Sequence, residues 1–193
     1  MAELTQDQIN NFVIAAHHDL PLVQKTLAEF PELLNENAEW FETPIQAASH
    51  VYNRPLIDFL LAQGAPMDIC TAAVLGRVDE VKGILVDDPE ASQELGPHNL
   101  ALMFYPAIVG NVEIAQILFD AGAEVNVAEG VTSPLHGAAI FGQAAMVTWL
   151  LEHDANPYAK EREGRTPLDS AEANGHEEAA ALLRPFFAEA EGE

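Results

Sequence analysis

Ser133-Pro134-Leu135-His136-Gly137-Ala138-Ala139 and Thr166-Pro167-Leu168-Asp169-Ser170-Ala171-Glu172 lie 33 residues apart, and Thr43-Pro44-Ile45-Gln46-Ala47-Ala48-Ser49 is a third copy upstream. A chain that echoes itself at this interval folds as stacked helix-turn-helix units, each too small to bury its apolar face alone. The units can be indexed by the turn between their two helices, where a Gly or small polar residue follows the first helix. Those positions are Asp19, Tyr52, Gly76, Gly110, Gly142 and Gly175, with spacings of 33, 24, 34, 32 and 33. The expectation is six units, approximately 5–36, 37–66, 67–90, 96–126, 127–159 and 160–188, in one domain over 1–193.

Four and eight positions after each turn the second helix carries an apolar pair: Val23 and Leu27, Leu56 and Leu60, Ile114 and Leu118, Met146 and Leu150, Ala179 and Leu183. That is one face of an amphipathic helix. In the third unit Glu80 breaks the pattern, and Val81, Ile84 and Leu85 are expected to carry the face. The 24-residue interval leaves only Ala62 to Cys70 between two helices, too little for the roughly ten-residue hairpin that ordinarily precedes a first helix. A finger should be missing there, with Pro66 stopping one helix and Asp68 capping the next. Asp87 to Pro97, by contrast, supplies a long loop to the fourth unit.

With Asp120-Ala121-Gly122-Ala123-Glu124-Val125-Asn126, Gly164-Arg165-Thr166-Pro167-Leu168 and Asn174-Gly175-His176 added to the opening motifs, the sequence resembles the ankyrin-repeat family over nearly its whole length. The shortened unit and Gly96-Pro97-His98 look like a subgroup common among bacterial members. The resemblance implies an all-α ankyrin-repeat solenoid of helix-turn-helix units with short hairpin loops, and a structural role for His136, whose imidazole ties neighbouring loops. The fourth unit departs from the pattern: Ala101-Leu102-Met103-Phe104-Tyr105-Pro106-Ala107 has no such His. Asp154 stands where a Gly would usually take the left-handed conformation, which Asp tolerates at a cost. The first unit begins as a polar cap, Phe186 and Phe187 should pack over the last unit, and Glu189 to Glu193 should fray.

Composition narrows the function classes. With 193 residues and 49% apolar content the chain can bury a core without metal or disulfide, and its one cysteine, Cys70, sits in an apolar helical stretch as a buried thiol. The N-terminus shows no secretory leader and no apolar run is long enough to span a bilayer, so a cytoplasmic location is expected. The balance of 31 acidic against 8 basic residues gives a net charge of −23, which repels nucleic acid and anionic membrane. Because the acids are spread through every unit, general acidification for solubility fits better than one docking patch for a basic partner. A mainly charged surface leads to the expectation of a monomer.

No catalytic constellation stands out. Ser133 and His136 invite a nucleophile-base reading, but the resemblance implies that the hydroxyl caps a helix start and the imidazole bridges neighbouring loops. His17, His18 and His50 fall at equivalent positions, yet units stacked roughly 10 Å apart should keep them from converging on one ion within about 2 Å. No metal, cofactor or enzymatic activity is therefore expected. The expected function is binding of a protein partner through the concave face, formed by hairpin tips and the inner side of each first helix.

The two residues before each turn should project onto that face: His17/His18, His50/Val51, Val74/Leu75, Ile108/Val109, Ile140/Phe141 and Ala173/Asn174. At the hairpins Trp40 and Glu42 form one finger, His98 and Leu100 another, and Arg162 and Arg165 belong to a basic last finger. This describes a groove with an apolar centre, Trp40 as an aromatic anchor at one end and basic residues at the other. The apolar pairs could equally fill space between helices, Trp40 could pack under its own loop, and the basic finger could be neutralised by Glu161 and Glu163. Two further functions stay open: a small-molecule sensor using the apolar gap beside Val74 and Leu75, and an acidic mask over a basic protein.

Overall fold

First helices begin wherever a hydroxyl or carboxylate side chain can satisfy the backbone N–H groups a helix start leaves open. In the computed structural model, which describes residues 4–188, Thr5, Thr43, Ser133 and Thr166 each accept from the N–H three residues on, while Gln8, Gln46, His136 and Asp169 reach back to the capping residue's own backbone. These reciprocal caps open α1 (Gln6–Ala15), α3 (Pro44–His50), α9 (Pro134–Ile140) and α11 (Pro167–Ala173). Asp68 caps α5 (Ile69–Val74), as expected at the shortened interval. Each is followed by a turn and a second helix: α2 (Leu20–Glu29), α4 (Arg54–Ala62), α6 (Val78–Asp87), α8 (Val112–Asp120), α10 (Ala144–Glu152) and α12 (Glu177–Ala188), with α7 (Phe104–Val109) preceding α8. The described residues are all-α, with two isolated bridges in place of any sheet.

The chain divides into two compact units, 1–75 and 76–193, each with its own apolar interior. In the first, Val23, Leu27, Leu56 and Leu60 are buried, and in the second Ile114, Leu118, Met146, Leu150, Ala179 and Leu183 are. Burying one such aliphatic side chain contributes about 2 kcal/mol relative to leaving it exposed. α6 is thinner: Val81 is buried, but Ile84 and Leu85 only half so. Cys70 is buried, and no described helix is long and apolar enough to cross a membrane.

Five of the six indexed turn positions are left-handed. Tyr52, Gly76, Gly110, Gly142 and Gly175 all have left-handed φ, between 52° and 73°. Asp19 does not; at φ −119° it is the N-cap of α2, one position past its turn. The glycine at 142 is demanded twice, by its φ of 67° and by His176 Nδ1, which a Cβ there would meet at 2.5 Å. Between α4 and α5 the chain runs directly from Ala62 to Asp68 with no hairpin, and Asp154 is left-handed at φ 62°.

The stretch from Asp87 to Pro97, expected as a loop, instead holds a 3-10 turn over Pro89–Gln93, and a second 3-10 turn follows at Pro97–Asn99. Leu95 and Ala101 bridge across it, with Gly96 N–H bonded to the Leu100 carbonyl at 2.8 Å. Tyr105, wholly buried, takes the room left by Gly96, where a Cβ would lie 1.9 Å from the phenolic oxygen. Tyr105 thus organises the segment in which the histidine tie is missing. At the other end of the unit the Tyr158 hydroxyl donates to the Phe186 carbonyl at 2.6 Å and its ring meets Phe187 at 5.1 Å, while the expectation for Glu189 to Glu193 lies outside the described residues.

Candidate functional site

A hairpin tip must reverse the chain within a few residues, and in both units the same device does it. In the unit 76–193, Glu161 N–H bonds the Arg165 carbonyl at 3.1 Å and Gly164 N–H bonds the Glu161 carbonyl at 2.8 Å, with Gly164 left-handed at φ 78°. In the unit 1–75, Ala38 N–H bonds the Glu42 carbonyl at 2.9 Å and Phe41 N–H bonds the Ala38 carbonyl at 2.9 Å. Phe41 therefore occupies the glycine position. It does so at φ 63° with its ring 87% exposed. The left-handed region costs a residue with a Cβ about 1 kcal/mol or more.

This relocates the expected aromatic anchor. Trp40 is half-buried and donates its indole N–H to Glu42 Oε2 at 2.6 Å, and Glu42 has no exposed surface at all. Glu42 cannot face a partner, because the reversal of the chain turns it inward; the aromatic that faces solvent is Phe41. Its signal in the sequence is its place two residues before Thr43, where Gly164 stands two residues before Thr166.

Around the Glu42 carboxylate two imidazoles converge. His50 Nδ1 lies 3.0 Å from Oε1 and His17 Nε2 lies 3.7 Å from the same atom, with the rings edge to face at 4.9 Å. Burial alone pushes the Glu42 carboxyl upward, but hydrogen bonding to His50 and Trp40 and the electrostatic attraction of His50 and His17 outweigh it and hold the group below the usual carboxylate range. The expectation that stacking would keep His17 and His50 apart fails, because side chains leaning from adjacent helix ends close a gap that backbone spacing leaves open. His18 is exposed.

The inner-face pairs divide between packing and exposure. In the first unit His50 and Leu75 are half-buried, Val51 is 38% exposed and Val74 is buried. In the second, Val109 and Ile140 are half-buried, Phe141 is 38% exposed, and Ile108 and Leu100 are buried. Val74, Leu100 and Ile108 are corrected to core residues: each sits on the side of its helix or turn that faces the interior. His98 is exposed and, with Asn99, left-handed at φ 58° and 59°.

Of the basic finger, Arg165 is held by Glu161 and lies 3.7 Å from Glu163, while Arg162 is exposed. Its partner Glu161 is buried, so Arg165 is largely neutralised within its own turn. A cavity of about 260 Å³ lies between Ser92–Leu102 and Glu124–Val131 of the second unit.

Ser133 and His136 make the structural tie the resemblance implied. His136 Nδ1 accepts from the Ser133 N–H at 3.3 Å, and His136 Nε2 lies 2.9 Å from the Arg165 carbonyl, so Nε2 carries the hydrogen. The Ser133 hydroxyl lies 2.8 Å from the same Nδ1 and accepts from the His136 N–H at 3.2 Å, so hydroxyl and imidazole together make the reciprocal cap of α9.

Residues 102–190 match the family model for ankyrin repeats, in three copies. The chain is 33% identical over 120 residues to cyclin-dependent kinase inhibitor 2A of Homo sapiens, covering 60% of this chain and 74% of that protein. It is 31% identical over 128 residues to cyclin-dependent kinase 4 inhibitor B of Rattus norvegicus, covering 64% and 95%. An 86-residue match at 37% identity to E3 ubiquitin-protein ligase Ufd4 of Drosophila melanogaster covers 43% of this chain but only 3% of that protein.

Proposed function

Because this chain belongs to the ankyrin-repeat family, whose repeats are protein-interaction modules, we propose that it is a non-catalytic binding protein that engages a protein partner with its hairpin tips and the exposed ends of its first helices. Phe41 carries the reading. An aromatic ring held in a left-handed turn, where the corresponding hairpin uses Gly164, and left 87% exposed, weakens the fold and hides no surface. Such a residue is retained for what it touches. Val51, Ile140 and Phe141 add partly exposed apolar surface at first-helix ends. Two of the relatives are named as inhibitors of cyclin-dependent kinases, an activity exercised on another protein.

Replacing Phe41 by Gly separates fold from function. Phe41→Gly should stabilise the protein by about 1 kcal/mol, read by urea denaturation, while removing the anchor. Quantitative crosslinking from native lysate with wild type and Phe41→Gly should show a partner captured by the first and depleted tenfold or more with the second. Equal capture by both would sink the reading. The second reading is an acidic surface complementary to a basic partner, to which the net charge of −23 would contribute. An affinity for the captured partner that falls steeply with ionic strength would assign binding to charge, and an insensitive one to the apolar tips.

A further inference from the structure

We propose that His17, Glu42 and His50 form a binding site for a divalent transition-metal cation, of which zinc fits best. His17 Nδ1 lies 3.0 Å from the Val13 carbonyl and 3.2 Å from that of Ile14. Both are acceptors only, so Nδ1 donates to the backbone and Nε2 is the ring nitrogen turned toward Glu42. Nε2 faces Glu42 Oε1 across 3.7 Å. The separation is too long for a direct hydrogen bond and fits two atoms that an ion can bridge.

The facing atoms of His17, Glu42 and His50 all lie within 4.8 Å of one another. Two ligands of a tetrahedral zinc with bonds of about 2.0–2.1 Å stand roughly 3.3 Å apart. The observed 3.0 Å and 3.7 Å from Oε1 to the two nitrogens bracket that value.

The atoms turned away from the site are arranged as outer-shell partners of a metal would be. His17 is locked in one tautomer by the Val13 carbonyl, and Asn53 fixes its backbone by donating to the His17 carbonyl at 3.1 Å. Trp40 engages Glu42 Oε2, which leaves Oε1 turned toward both imidazoles and makes Trp40 a positioning residue. Two imidazoles with one carboxylate select zinc or a neighbouring first-row metal over calcium and magnesium, which take oxygen ligands. Glu42 is wholly buried, and His17 and His50 side chains are 23% and 12% exposed, so the ion would enter from the imidazole side.

The experiment uses the full chain stripped with a chelator and titrated with zinc chloride against a chromophoric competitor, with Co²⁺ absorption reporting geometry. One equivalent should bind and raise the melting temperature. His17→Ala and His50→Gln should each weaken binding at least tenfold, and Trp40→Phe about tenfold with one equivalent retained. No saturable uptake would overturn the site. So would uptake of undiminished affinity in the His17→Ala/His50→Gln double variant, which would place the ion on the acidic surface. Should a variant fail to fold, NMR of the wild type decides: zinc must shift the His17 and His50 imidazole resonances, and unchanged resonances overturn the proposal.

Discussion

At position 136 an imidazole without solvent exposure spans two loops, and its protonation state matters to the fold. Burial pushes its affinity for a proton down, more than the Arg165 carbonyl and the Glu161 charge raise it. The folded chain therefore takes up a proton on His136 less readily than the unfolded chain, where the group titrates near 6.5. The stability it confers is complete above that pH and lost as pH falls through the lower folded value. Asp169, held below the carboxylate range by the Thr166 backbone N–H and hydroxyl, acts in the same direction in a more acid window, below about 3.8. Urea midpoints measured from pH 8 to pH 5 should decline for wild type. In His136→Gln, which starts lower, that decline should be shallower, and parallel curves would show that the imidazole is not the sensor.

Helices of six or seven residues such as α5, α9 and α11 are too short to stand alone, so their ends decide whether they form. Ser133→Ala removes a capping acceptor and the partner of the His136 imidazole, and should cost about 1 kcal/mol by denaturation. Thr148→Ala, whose hydroxyl bonds within its own helix, should cost much less. The starts at Ser133 and Asp68, the missing hairpin and five of the six turns were legible in the sequence, because each is a local rule with a residue to mark it, whereas the Thr5 cap and the turn before Asp19 were not. What was not legible depended on how far a side chain reaches. Trp40 and Phe41 are adjacent aromatics, and only the φ of 63° decides which one points outward. Glu42 looks like a surface acid until the hairpin turns it under Trp40. The 3-10 turn at Pro89–Gln93 was not legible because the four acids Asp87, Asp88, Glu90 and Glu94, with Ser92 and Gln93, carry no apolar period.

On the scale of the whole molecule, 31 acidic residues against 8 basic ones repel each other more in the folded state than in the expanded one. Sodium chloride should therefore raise the melting temperature at pH 7, by several degrees between 20 mM and 500 mM as the Debye length shrinks from about 20 Å to about 4 Å. A melting temperature that falls with salt would mean that surface ion pairs such as Arg54 with Asp58 outweigh the repulsion.

Within each unit a periodic tie holds consecutive helix pairs in register. Asn53 donates to the His17 carbonyl, Gln143 to that of Ile108 and His176 bonds that of Ile140, each side chain sitting just past one turn and reaching the carbonyl just before the preceding turn. Such a tie refers only to its nearest neighbour and carries no record of its place in the array. A gene of this kind can gain or lose whole modules by unequal recombination and still encode matched joints, whereas a cut that shifts the turn by a few codons leaves donor and acceptor out of phase. The 24-residue interval removes a finger and keeps both its turns, which is the form in which an ancestral deletion would be survivable.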